Sequence, residues 1–366
     1  MDKIIAGFGE VMLRLCPAGG KRRFSQELPG VLDATFGGGE ANVCVSIANF
    51  GGKARYLTAL PENPIVAAFR AQLAGLGVDV SHIRYDKRGR MGVYFAEHGS
   101  NMRGSSVVYD RDGSTVSLLA PEDYDFDAML AGVGHLHLTG ITPSLTRNAY
   151  LVTLELAKRA AAAGISISID LNYRKKLWNW EPGTAKNELA ARCMGEIVPL
   201  ADIIIGNEED AADVFGIHAA ATRIDRGELN IAGYEDVAAQ LSARFPKASF
   251  VAITLRESLS ADHNNWGGML YDCRARKAHF APLDAEGNYH PYEIRNIVDR
   301  FGGGDSFCGG LIFALNTPEL AEPSVALRYA VAASALKHTF SGDYNLATRS
   351  EVENLMKGAA SGRVQR

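Results

Sequence analysis

The sequence predicts an α/β fold: a mainly parallel central sheet covered by helices on both faces, with a small β-sheet projecting from the main body. Three observations carry this. From about Val133 onward, short apolar runs at Leu136–Thr139, Ile165–Asp170, Ile203–Ile205 and Phe250–Thr254 alternate with alanine-rich helical patterns such as Leu151–Ala163, and strands alternating with helices imply a parallel sheet covered on both faces. Between Gly92 and Leu119 the pattern changes. Val93, Phe95, Val107, Tyr109, Val116 and Leu118 alternate with polar residues, and turns fall at 101–105 and 111–113, which is hairpin patterning with one buried face. Two glycine-rich turns, Gly37–Gly39 and Gly302–Gly304, each open directly into a helical pattern.

The elements follow in order. Ile4 to Leu15 reads as a buried first strand running into an edge region, and a helix is expected over about Ala41–Phe50, stopped by Gly51-Gly52. Residues 217–233 read as a polar surface insertion. The last helices are expected over Asp305–Leu315 and Val325–Lys337, with a frayed end from Gly358 to Arg366.

Composition narrows the function. The chain has 366 residues, 47% hydrophobic and 22% charged, with a formal net charge of -4. That length suits one large domain, or one with a smaller appendage. The acidic balance gives no reason to expect nucleic acid or an anionic membrane as partner. The five cysteines are odd in number, widely spaced and free of CxxC pairs, which suits free thiols in a reducing cytosol. No run approaches a membrane span, and Glu10 interrupts the short apolar N-terminus. A cytoplasmic location is expected.

The strongest local signal is Asp299-Arg300-Phe301-Gly302-Gly303-Gly304-Asp305. A glycine turn opening a helix leaves main-chain N–H groups unpaired, and these, with the helix dipole, favour an anion such as phosphate. Asp305 stands beside that turn, where a carboxylate can take a proton from an attacking hydroxyl. The plainer reading makes Asp305 a helix cap. The motif is neither GxxxxGK[ST] nor GxGxxG.

Four further segments are candidates. Gly38, Gly39 and Asn42 offer a polyhydroxylated ligand close main-chain approach and an amide that both donates and accepts, or simply form a glycine turn with Asn42 as a helix-start residue. Asp170 and Arg174 follow a strand, where ligands of open α/β sheets bind, and Arg174 can hold a carboxylate or phosphate at two points. Asn207 and Asp210 lie on an acidic turn suited to Mg²⁺, or simply to a helix N-terminus. Thr254 and Arg256 follow the strand from Phe250 and can reach nucleotide phosphates, or merely form a turn. Strand ends and helix starts of such a sheet gather on one edge, so the segments together describe phosphoryl transfer. His135 and His137 share a strand face but lack a further metal ligand. Trp178 and Trp180 read as loop packing.

Gly-Gly-Gly-Glu-Ala-Asn at 37–42, followed by Asn49-Phe50-Gly51-Gly52, and the segment Asp299–Asp305 resemble the paired signatures of the PfkB, or ribokinase-like, carbohydrate kinases. The resemblance implies a three-layer ribokinase-like fold, with lid residues 11–35 and 91–119. The nucleotide- and sugar-binding core would comprise 1–10, 36–90 and 120–366. It implies ATP and Mg²⁺, Asp305 as catalytic base with the Gly302–Gly304 turn as anion hole, and a homodimer paired through the lid sheet. By position, Asn207 and Asp210 match an element near the metal, with Asp replacing Glu. Gly342 and Asn345 fall near the adenine pocket.

Within the family the likeness is to 2-keto-3-deoxygluconate kinases. Asp170-Leu171-Asn172-Tyr173-Arg174, Tyr94, and Tyr109-Asp110-Arg111 resemble their sugar-contacting segments, and Arg111 with Arg174 would hold a sugar acid. The expected product is the 6-phosphate. Arg300, Gly303 and Thr254-Leu255-Arg256-Glu257-Ser258 depart from common family residues on the nucleotide side. A kinase for a neutral sugar or a nucleoside, a non-catalytic sugar-binding protein, and an α/β oxidoreductase are the competing readings; the absent GxGxxG counts against the last.

Overall fold

The computed structural model describes residues 3–219 and 231–358. The expected insertion over 217–233 and the frayed end from Gly358 therefore lie largely outside the described residues.

A ten-stranded sheet forms the centre. Ile4–Phe8 sits inside it, paired in parallel with Lys53–Leu57 on one side and Val133–Thr139 on the other. The parallel run continues through Ser166–Asp170, Ile203–Gly206 and Phe250–Ser260. From there the sheet turns antiparallel through His263–Asp272, which pairs with both Lys277–Ala281 and Tyr292–Arg295. The chain order reverses between Ile4–Phe8 and Val133–Thr139. A crevice opens beyond the carboxyl ends of such strands.

Side chains of period two divide the sheet's apolar residues between two cores. Ile204, Val251 and Ile253 pack toward Arg147–Ala162, Lys186–Ile197 and Ile231–Arg244. Ile203, Ile205 and Ala252 pack toward Gly39–Asn49, Gly303–Leu315 and Pro323–Lys337. Strands covered on both faces must be apolar throughout, which is why Ile-Ile-Ile at 203–205 reads as a continuous run. His135 and His137 lie buried within this layer. His135 Nε2 and His137 Nδ1 each contact Ser168 Oγ, at 2.8 and 2.9 Å, and burial pushes the two pKa values down to about 4 and about 3.

The second, four-stranded sheet is the lid. Leu32–Gly37, Met12–Pro17, Gly92–Glu97 and Ser106–Asp110 lie in that order. The first apolar run is thus two strands in two sheets, with Gly9-Glu10-Val11 carrying the chain across. Two expectations for the lid change. Thr115–Leu118 is a short helix rather than a strand, because Thr115 and Val116 pack into the core at its base. The inward face of the middle strand carries Tyr94 and Ala96, at 3% and 0% exposure, while Val93 and Phe95 face outward, half-buried.

Candidate active site

A cleft of about 840 Å³ lies between the sheet edge and the lid. Gly38, Gly39, Asn42, Tyr94, Tyr109, Arg111, Arg174, Gly302 and Asp305 all line it, so segments from five separate stretches of chain converge. Leu171, Asn172 and Tyr173 hold Arg174 at the end of Ser166–Asp170. Asp170 itself lies beneath, its carboxylate accepting from Asn172 N–H at 3.2 Å; burial and the nearby Asp210 and Asp305 hold its pKa well above the usual carboxylate range.

The turn ahead of Gly303–Leu315 is built by glycine for steric reasons. Gly302 has φ +76°, and a Cβ there would stand 2.0 Å from the carbonyl oxygen of Asp343, so no L side chain fits. Gly303 and Gly304 open the helix, and the first-turn N–H groups have no helical acceptors. Asp305 sits in that first turn. Its Oδ2 accepts from Asn42 Nδ2 at 2.6 Å. Burial pushes the Asp305 pKa up to about 6, partly opposed by the Asn42 bond. At neutral pH a carboxyl with that pKa is mostly ionised and able to accept a proton.

The cationic residues differ in how free they are. Arg111 bonds Glu10 through Nε at 2.8 Å and also through Nη2, and Glu10 is 4% exposed. Its charge is already compensated within the chain. The Arg174 side chain has no hydrogen bond or ion pair among the described residues; it is exposed at the cleft mouth beside Lys175 and Lys176.

Acidic residues near the turn do not assemble a metal cage. Among the described residues no group of three or more His, Cys, Asp or Glu is placed to hold an ion. Asp210 Oδ1 accepts from Tyr173 N–H at 2.9 Å and Oδ2 from Asn207 N–H at 3.1 Å, while Asn207 Oδ1 accepts from Asp210 N–H. The pair is a reciprocal cap on Glu208–Phe215. Direct coordination through either Asp210 oxygen would compete with the N–H which that oxygen already accepts.

A model of the pfkB family of carbohydrate kinases matches residues 9–255. The chain belongs to that family. It is therefore an ATP-dependent sugar kinase with a ribokinase-like fold. It is 36% identical to 2-dehydro-3-deoxygluconokinase of Thermotoga maritima, whose crystal structure superposes with a TM-score of 0.86 over 97% of this chain and 100% of that one. It is 29% identical to 2-dehydro-3-deoxygalactonokinase of Haloferax volcanii over 99% of both chains, and 26% identical to fructokinase-2 of Solanum lycopersicum over 98% and 97%. A fructokinase of Xylella fastidiosa with bound ATP shares the fold, with a TM-score of 0.73 at 21% identity over 99% and 100% of the chains.

Three sequence expectations for this kinase place residues differently. Thr254 and Arg256 do not follow a strand end. The strand runs on to Ser260 in a hairpin, with Thr254 opposite Gly268 and Arg256 opposite Trp266, because ladder pairing to His263–Asp272 extends it past the apolar run. Asn345 does not present its side chain to the cleft. It is fully buried, donating from Nδ2 to Ala333 O at 2.9 Å and accepting from Ala347 N–H at 3.0 Å. Gly342, at φ +84°, is buried and gives its N–H to Asp299. The residue this segment delivers to the cleft is Asp343. Asp343, Glu10 and Phe301 line the cleft but escaped the sequence reading. Phe301 lies within the glycine signature itself; a single acidic residue such as Glu10 or Asp343 carries no local pattern.

Proposed function

We propose that this kinase phosphorylates a six-carbon 2-keto-3-deoxy sugar acid, such as 2-keto-3-deoxygluconate, at its terminal hydroxyl, giving the 6-phosphate. The observation that carries this is the Arg174 guanidinium, which is exposed at the cleft mouth beside Lys175 and Lys176 and makes no hydrogen bond or ion pair among the described residues. A neutral sugar offers it only uncharged oxygen acceptors, whereas a carboxylate brings the opposite charge and accepts two parallel hydrogen bonds. The names of the Thermotoga and Haloferax relatives agree with an acid. Gly38, Gly39, Asn42, Tyr94 and Tyr109 would meet the hydroxyls and keto group, and Arg111, already tied to Glu10, would contribute direction more than charge.

In the reaction the sugar hydroxyl oxygen bonds to the γ-phosphorus of ATP, and the bond from that phosphorus to the β–γ bridging oxygen breaks. Asp305 takes the hydroxyl proton. The main-chain N–H groups of Gly303–Asp305 face the charge spread over the transferred phosphoryl oxygens. Mg²⁺ would enter on the nucleotide phosphates, neutralising their charge, which fits an ion that keeps most of its waters and needs no protein cage; Asp210 would act on it through water. Thr254 and Arg256 remain candidates for the nucleotide side through the hairpin rather than a turn. The outward lid face, with Val93 and Phe95 half-buried and Val108 63% exposed, supports pairing with a second copy.

The deciding experiment is a coupled ADP-release assay comparing 2-keto-3-deoxygluconate, its C4 epimer, fructose, ribose and adenosine. Turnover of the two acids at least tenfold above the others is the expected result. Preference for fructose would replace the acid reading with a neutral-sugar kinase.

A further inference from the structure

Arg14 lies in the lid strand Met12–Pro17 and is 1% exposed. Nη1 donates to Asp343 Oδ1 at 2.6 Å and Nη2 to Asp299 Oδ2 at 2.7 Å. Nη2 also reaches His98 Nε2 at 2.8 Å, and the guanidinium carbon lies 4.6 Å from the centre of the Phe301 ring. A buried cation held between two buried carboxylates is expensive to leave unpaired on either side, so this arrangement fixes what it touches.

What it touches is the glycine turn. Asp299 Oδ1 accepts from Phe301 N–H at 3.0 Å, and Oδ2 accepts from Gly342 N–H at 3.0 Å. One carboxylate thus clamps the chain entering the turn to the loop that packs against Gly302. Asp343 lines the cleft and accepts from Tyr94 Oη at 2.7 Å, and Tyr94 is the cross-strand partner of Arg14 in the lid. Tyr94 and His98 also lie against the Phe301 ring. Three lid side chains therefore close on the residue immediately before Gly302.

We propose that Arg14 is a positioning residue: by holding Asp299 and Asp343 together it sets the Gly302–Gly304 turn against Asp305 and ties the seat of the lid to the phosphoryl-transfer geometry. The proposal rests on reading Gly302–Asp305 as the transfer turn. Lysine cannot span two carboxylates with a planar fork, so Arg14→Lys keeps the charge and loses the bridge. A displacement of about 1 Å at the reacting groups lowers turnover by up to about 100-fold.

The test measures kcat, both KM values and Tm for Arg14→Lys, Asp299→Asn and the double variant, using whichever sugar the panel turns over fastest, with Asp305→Asn alongside. The expected result is folded Arg14→Lys protein with kcat down at least tenfold and a smaller change in either KM, since Arg14 itself would touch neither substrate. Asp299→Asn should match it, and the double variant should lose no more than either alone. Unchanged kcat in either folded single variant, or additive losses, overturns the proposal, and unfolding of both single variants assigns Arg14 to stability alone. Retained activity in Asp305→Asn instead overturns the reading of the turn, whatever Arg14 does.

Discussion

Asn42 Nδ2 donates to Asp305 Oδ2 at 2.6 Å, joining two helix starts 263 residues apart in the chain. Each residue follows three glycines, and each helix, Gly39–Asn49 and Gly303–Leu315, packs against the same face of the sheet. The two glycine turns therefore meet at one carboxylate. The predictions begin from that contact.

Replacing Asp305 by Asn removes the proton acceptor but keeps the shape. We expect kcat to fall roughly 1,000-fold, within the range for loss of a general base, while ATP and sugar still bind by calorimetry. Near-normal turnover would remove Asp305 from the mechanism. The same variant should melt at a higher temperature than the parent at pH 7. Burial raises the Asp305 pKa from 3.8 to about 6, so the folded state binds more protons than the unfolded state between those values. Stability is lost as pH rises through that window, and a neutral Asn does not incur the loss.

The pH profile has a matching sign. A base must be ionised, so kcat/KM should rise with pH through about 6 and then level. In Asn42→Ala the donor that favours the charged carboxylate is gone, and the limb should move to higher pH. A limb that stays in place would show that another group controls it.

Arg174→Ala should raise KM for the preferred sugar acid about 10- to 100-fold, since a hydrogen bond to a charged group contributes roughly 1.5–3 kcal/mol. KM for ATP should change little. Equal effects on both substrates would argue against carboxylate recognition.

Gly302→Ala places a Cβ 2.0 Å from Asp343 O at a φ of +76°. Both faults act at once, so we expect a loss of at least about 1–3 kcal/mol, the range for a strained backbone, read by denaturant unfolding. Stability within 0.5 kcal/mol of the parent, roughly the range of a surface change, would mean that the turn yields easily.

Val108→Asp puts a charge on the outward lid face. If a second copy covers that face, light scattering should report a dimer for the parent and a monomer for the variant. A monomeric parent at micromolar concentration would end the dimer proposal.

Sequence alone determined the layered α/β plan, the lid, the two glycine turns and Asp305, because each is written locally: period-two runs, glycine before a helical pattern, and an acid at a helix start. Helix starts were legible to within two or three residues at Gly39 and Gly303 for the same reason. Tertiary structure decided which polar groups are free. Arg111 is matched by Glu10 and Asp210 is occupied by two main-chain donors. Asn345 is closed into the core, and Arg14 is drawn under the lid between Asp299 and Asp343. An isolated charged residue looks the same in sequence whether it faces a ligand or a buried partner hundreds of residues away. Only folding brings that partner within hydrogen-bond range, and the desolvation of both groups then decides whether the charge remains available for chemistry.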